Sequence, residues 1–280
     1  MVVIHVTLTY FRCNKYKNII KTASTRYRSD RQLRHSVGSR LNEALTTLSG
    51  ERSYQSHDLQ QPNILLVREL SASPIWSDDE FFSDITMLES RVDDITREFN
   101  NAYLNLWPTG WLINNTASGE WAVFHLINQG AAVKKNCDEC PLTYGVINQL
   151  VGSMQENVFA NVSFSVVQPG TSISPHYGPT NVRIRCHLGL QVSRPDTSYM
   201  TVNGRRVSWK YGRCSIFDDS FLHGVDHSAD NPDPRAVLLV DFWHPELTEL
   251  ERSTIDSLFK FQRPATPTIH TIPIRYSTEM

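Results

Sequence analysis

Residues 182–192 alternate without exception: Val182, Ile184, Cys186, Leu188, Leu190 and Val192 are apolar, while Arg183, Arg185, His187, Gly189 and Gln191 are polar or glycine. Neighbouring side chains of a strand point to opposite faces, so this stretch is expected to be a β-strand whose apolar face is buried. Arg185 and His187 then stand on one face and point the same way. The alternation leaves two environments open for that face, bulk solvent or the wall of a lined cavity.

The same period of two returns along the C-terminal half. Residues Ala122–Ile127, Val162/Phe164/Val166, Ser215–Phe217 and the apolar run Ala236–Phe242 are expected strands. Tyr199 to Trp209 encloses Asn203-Gly204, a strong hairpin signal. Ahead of them the period is helical: Phe81, Ile85, Leu88, Val92, Ile95, Phe99, Tyr103 and Leu106 make one apolar stripe, opened by a capping box at Ser77–Glu80 and closed by Pro108 and Gly110. The expected fold is mainly β with flanking helices, a double-stranded β-helix (jelly roll) preceded by a long amphipathic helix.

With 40% hydrophobic and 20% charged residues, the 280-residue chain can build a core, and its 13 Gly, 14 Pro and five Cys exclude collagen-like and disulfide-framework classes. No apolar run approaches the roughly 18 residues a membrane helix needs. The net charge of −2 is uneven, because residues 11–40 carry nine Lys or Arg against Asp30 alone. Residues 1–61 therefore form an expected basic, poorly ordered arm without internal repeats, solvated or touching an anionic surface. A domain follows over 62–265 and a tail over 266–280. No aromatic interleaving or zinc spacing accompanies the basic residues, so no nucleic-acid partner is expected.

Two histidines flank the strand-rich region. His176 lies in Ser-Pro-His-Tyr-Gly-Pro, on an expected loop before a strand, and His223 follows Phe-Asp-Asp-Ser-Phe-Leu. That layout suits a two-imidazole metal centre, although a single histidine is more often structural. Arg235 opens a run with both faces apolar, and a guanidinium there needs an anion; a carboxylate fits its fork. Asp218 and Asp219 are open either as a third metal ligand or as residues ordering the turn.

The segments HYGPTNVRIRCHLGL (176–190), FDDSFLHGV (217–225) and RAVLLVDFWHP (235–245) closely resemble the aspartyl/asparaginyl β-hydroxylase family, over roughly Leu65 to Phe261. The resemblance implies a jelly-roll oxygenase using Fe(II), with 2-oxoglutarate and O2 as co-substrates. It makes His176 and His223 the catalytic iron ligands. Gly178 stands where wider relatives carry the carboxylate of His-x-Asp, and the family leaves that place to water. Arg235 and Ser165 would take the distal carboxylate of 2-oxoglutarate, with Arg185 and His187 near the rest of the keto acid. Trp121 matches a family tryptophan beside the pocket, with plain packing as its alternative. His227 and His244 are expected bystanders. The implied reaction is decarboxylation to succinate coupled to hydroxylation of Asp or Asn in a protein substrate, EGF-like domains in the best-known members. The implied compartment is the endoplasmic reticulum or its membrane, although neither a transmembrane segment nor a signal peptide is visible in the sequence. The contrasting reading is a silent or zinc-loaded jelly roll that recognises a partner without turnover. Cys137 and Cys140 would be a short-loop disulfide or two surface thiols. Asn114 and Asn161 begin glycosylation sequons, the second at a strand start where modification is hindered.

Overall fold

The structure is a computed structural model and describes residues 18–48, 59–114, 116–192, 194 and 196–260. Two antiparallel sheets face one another. The larger runs β1(Ile75–Trp76), β10(Cys214–Phe217), β7(Arg183–Gln191), β12(Arg235–Trp243), β5(Asn161–Val167), β3(Trp121–Asn128) and β2(Trp111–Asn114), with β4(Ala131–Ala132) paired to β3. The smaller runs β6(Thr171–His176), β11(His223–His227), β8(Ser198–Val202) and β9(Arg205–Val207). This is a jelly roll with helices on one outer face.

Parity along the large sheet decides what faces what. The even residues of β7 and β12 and Phe164 of β5 join Phe81, Ile85, Leu88, Ile95 and Phe99 in the main core, beneath α4(Phe82–Ser90), α5(Val92–Asn105) and α7(Pro141–Ile147). The odd residues therefore point at the small sheet. Arg185 and His187 accordingly face the interior between the two sheets, largely buried, and not bulk solvent.

The expected single helix is two. The stripe is intact, but the chain kinks at Arg91 (φ −108°, ψ 13°), so that α4 and α5 each lay a separate face on the sheet. Ser77 does not cap: its hydroxyl donates to the Glu80 carboxylate at 2.8 Å, and a 3-10 turn over Asp79–Phe81 precedes α4. The hairpin forms as expected, with φ of 46° at Asn203 and 74° at Gly204, the two left-handed positions of a type I′ turn.

Within the expected arm, residues 18–48 fold as α1(18–29), α2(Arg31–Ser36) and α3(Ser39–Thr47). Ala23, Tyr27, Leu41 and Leu45 are buried in a second cluster with Val182, Trp243, Ile255 and Phe259. Arg40 adds a two-pronged ion pair to Glu251, Nε to Oε1 and Nη2 to Oε2 both at 2.7 Å, at the capped start of α8(Glu249–Leu258). Ala23, Tyr27, Leu41 and Leu45 are the docking face of helices too short to show a long apolar stripe. The remainder of the arm and the tail lie largely outside the described residues. No helix among the described residues is long and apolar enough to cross a membrane.

Candidate active site

His176 is the last residue of β6 and His223 the first of β11, directly opposite one another in register. His176 thus closes β6 and does not sit on the loop that leads into β7. Their rings lie 4.3 Å apart between centroids. Each ring is anchored from behind, His176 Nδ1 at the Ser174 carbonyl and His223 Nδ1 at the Phe221 carbonyl, both at 2.9 Å. A neutral imidazole that donates from Nδ1 carries its lone pair on Nε2, the arrangement metal-binding histidines use. Burial, reinforced by the neighbouring His176, lowers His223 to about 4, so it is neutral at physiological pH.

From His223 the site continues ring by ring into the large sheet. Phe217 lies 5.9 Å from His223, His187 5.0 Å from Phe217, and Trp209 6.1 Å from His187, centroid to centroid. Trp209 Nε1 donates to His187 Nδ1 at 3.2 Å. Its other nitrogen, Nε2, is buried without a hydrogen-bond partner. Burial, then the charge of Arg235, pushes His187 well below the ordinary histidine range, so the ring is neutral.

Arg235 is 1% exposed, and its guanidinium carbon lies 4.3 Å from the Trp209 ring centroid. Nε and Nη1 have no partner, and no carboxylate pairs with this cation among the described residues. Burial alone lowers its pKa to about 9. Trp121, Val167 and Arg235 stand in one row across β3, β5 and β12. Trp121 Nε1 donates to Ser165 Oγ at 3.0 Å, fixing a buried hydroxyl on the inward face.

Arg185 is placed differently from an open anion receptor. Its Nε meets Asp241 Oδ1 at 2.8 Å and its Nη1 meets Asp219 Oδ2 at 3.1 Å. Arg183 completes the cluster, paired with Asp219 and 3.3 Å from Asp241. Burial raises the pKa of Asp219, but Arg183 and Arg185 outweigh it and hold the carboxylate well below its usual range. Two cations and two carboxylates are thereby balanced in a buried, hydrogen-bonded group. A Cβ on Gly178 would come within 2.5 Å of the Asp219 carboxylate. So Asp219 fills the space beside the residue two positions after His176. Asp218 points elsewhere, accepting from the Ser220 amide at 2.8 Å and from Gln60 Nε2 at 2.6 Å.

Sequence reasoning missed Arg183, Asp219 as a paired acid, Asp241 and Trp209. Parity could have found Arg183 and Asp241, which share the inward face with Arg185. His227 and His244 are held by Ser198 with Asp233 and by Ser71 with Glu246, away from the histidine pair. Cys137 and Cys140 are free thiols, buried rather than at the surface, and burial pushes Cys140 up to about 12. The Asn161 amide is bonded to Asp241 inside the fold. No cluster of three or more His, Cys, Asp or Glu positioned for a metal occurs among the described residues, so the histidine pair stands without a third protein ligand.

The family model for aspartyl/asparaginyl beta-hydroxylase matches residues 89–245. The chain belongs to that family. It is 42% identical over 206 residues to human (Homo sapiens) aspartate beta-hydroxylase domain-containing protein 2, covering 72% of this chain and 55% of that protein. Domain-containing protein 1 of mouse (Mus musculus) is 35% identical over 207 residues, covering 72% and 56%. The chain spans about half the length of these curated relatives. Among solved structures, it is similar to the non-heme alpha-ketoglutarate-dependent epimerase SnoN (11% identity, 60% of this chain and 89% of that one, TM-score 0.37). It is also similar to an oxidoreductase of the 2OG-Fe(II) oxygenase family from Burkholderia pseudomallei (13% identity, 55% and 78%, TM-score 0.37).

Proposed function

We propose that this chain is an Fe(II)- and 2-oxoglutarate-dependent dioxygenase that hydroxylates an Asp or Asn side chain of a protein substrate, with EGF-like domains the first class to test. The observation that carries the reading is the buried, unpaired cation of Arg235, in the same barrel as the orphaned His187 Nε2 and the paired imidazoles of His176 and His223. A buried guanidinium without a counter-charge is costly, and a dicarboxylate supplies what it lacks.

The donor set fits the metal. Two neutral imidazoles, each fixed by a backbone carbonyl, suit borderline Fe(II) and leave further positions open. When bound, iron with the keto acid would activate O2, the oxidant for C–H hydroxylation. The chain's own part is binding and orientation. Arg235 takes the distal carboxylate in its fork, and Ser165, steadied by the Trp121 indole, adds a hydroxyl donor. His187 donates from Nε2 to the keto-acid end. Asp219, locked by Arg183 and Arg185, is an ionised acceptor beside Gly178, two residues after the His176 that would hold the metal. Met200, Val202, Phe217, Phe221 and Val225 floor the space with apolar surface that keeps bulk water out.

The test is succinate formation from 2-oxoglutarate with Fe(II), O2 and an EGF-like peptide, with His176→Ala beside the wild type. Iron-dependent succinate and a peptide mass gain of one oxygen, both lost in the variant, support the proposal. Absence of both metal and 2-oxoglutarate binding leaves a recognition module instead.

A further inference from the structure

Trp209 connects the two groups that the proposed co-substrate site uses, and neither the family motifs nor the strand pattern singled it out. It lies beyond the β8–β9 hairpin and is 1% exposed, though its neighbours Ser208 and Lys210 are exposed. What plants it inside the barrel is Gly189, the one β7 residue of the inward face without a side chain. A Cβ there would lie 2.2 Å from the Lys210 carbonyl oxygen. The bare backbone lets residues 210–213 cross β7 closely, with Gly212 N donating to Gly189 O at 2.9 Å and Gly189 N to Arg213 O at 3.1 Å.

Once there, one indole serves two partners. Its N–H donates to His187 Nδ1, so a neutral His187 must carry its proton on Nε2, the nitrogen that is buried and unpaired. Its π face carries the Arg235 guanidinium, an attraction that grows with desolvation and uses none of the cation's N–H donors. Both anion-facing groups are thereby oriented and still unspent.

We infer that Trp209 is a positioning residue for the co-substrate, fixing the His187 tautomer through its N–H and the Arg235 fork through its ring. The inference rests on the proposed 2-oxoglutarate site, but its first half is testable without any ligand. The test pairs the 15N resonances of the His187 ring in metal-free protein with 2-oxoglutarate binding to manganese-loaded protein, which does not turn over. Wild type, Trp209→Phe and Trp209→Leu are compared. Wild-type protein is expected to hold His187 as the Nε2–H tautomer alone. Trp209→Phe keeps an aromatic face but loses the N–H, so both tautomers should appear and the 2-oxoglutarate Kd should rise about tenfold, the scale of one lost hydrogen bond. Trp209→Leu, which loses the ring as well, should weaken binding by roughly another tenfold. A purely structural role would lower Tm in both variants while leaving the tautomer and the Phe/Leu difference unmoved, and that result overturns the inference. An Nδ1–H tautomer in wild-type protein overturns it too, whether or not the variants fold. A wild-type protein that shows the Nε2–H tautomer but binds no 2-oxoglutarate supports the indole's hold on His187 and rejects the co-substrate site.

Discussion

Replacing Arg235 by Met should make the ligand-free protein more stable and the co-substrate-dependent stabilisation vanish. Burial lowers the Arg235 pKa from the ordinary 12.5 to about 9. At 1.36 kcal/mol for each pH unit, that is a cost of roughly 5 kcal/mol for keeping the cation where it is. The Trp209 face returns about 1–2 kcal/mol of it. Met reproduces most of the aliphatic stem and carries no charge, leaving a net gain of about 1–3 kcal/mol after imperfect packing. In a chain of this size such a gain raises Tm by roughly 2–5 °C. Urea unfolding of metal-free Arg235→Met against wild type measures the gain, and repeating it with Mn(II) and saturating 2-oxoglutarate measures the linkage. Wild type should be stabilised by the co-substrate and the variant should not. A metal-free variant destabilised by more than about 2 kcal/mol would refute the reasoning, because it would mean that Arg235 is already satisfied by the fold.

Three further outcomes follow from particular contacts. Gly178→Ala drives a Cβ to within 2.5 Å of the Asp219 carboxylate; thermal unfolding should show a loss of about 1–3 kcal/mol, with metal affinity reduced as Asp219 is displaced. Asp218 has its pKa raised to about 7 by burial, against the pull of its bonds to Ser220 and Gln60. The stability of its protonated form is complete below about pH 4 and is lost as pH rises through 7, so Asp218→Asn should flatten that fall and be about 1–3 kcal/mol more stable than wild type at pH 8 in urea titrations. Leu41→Ala, in the N-terminal helices, should cost about 2–4 kcal/mol in the same assay, and a cost under about 0.5 kcal/mol would mean those helices do not pack on the body.

How legible the molecule was in its sequence depended on how local each signal was. Strands β3, β5, β7, β10 and β12 alternate or run apolar because they are central and buried, and the Asn203-Gly204 turn carries its own conformational signature. The strands that carry the histidine pair were invisible. β6 is an edge strand holding Ser172, Ser174 and Pro175, whose inner face offers only Thr171 and Ile173, and β11 is five residues with polar ends. The break at Arg91 left no mark because a stripe at spacings of three and four survives a kink. Same-face logic placed Arg185 and His187 together, yet it could not say that Asp219 and Asp241 engage Arg185 and leave His187 open. That division depends on the loop before β11 and on the close pass at Gly189, both set by tertiary packing. Trp209 was hidden for the same reason, since nothing in its neighbours in sequence distinguishes an indole inside the barrel from one on its surface.

The most direct test of the account is anaerobic titration of the Fe(II)-loaded protein with 2-oxoglutarate, followed by the visible charge-transfer absorbance that a chelating 2-oxo acid gives on iron. One equivalent of Fe(II) and a saturable band, both abolished in His176→Ala and His223→Ala and the band alone lost in Arg235→Met, is the expected result. Stoichiometric iron that survives both histidine substitutions, or a wild-type protein that binds iron yet never develops the band, would contradict it.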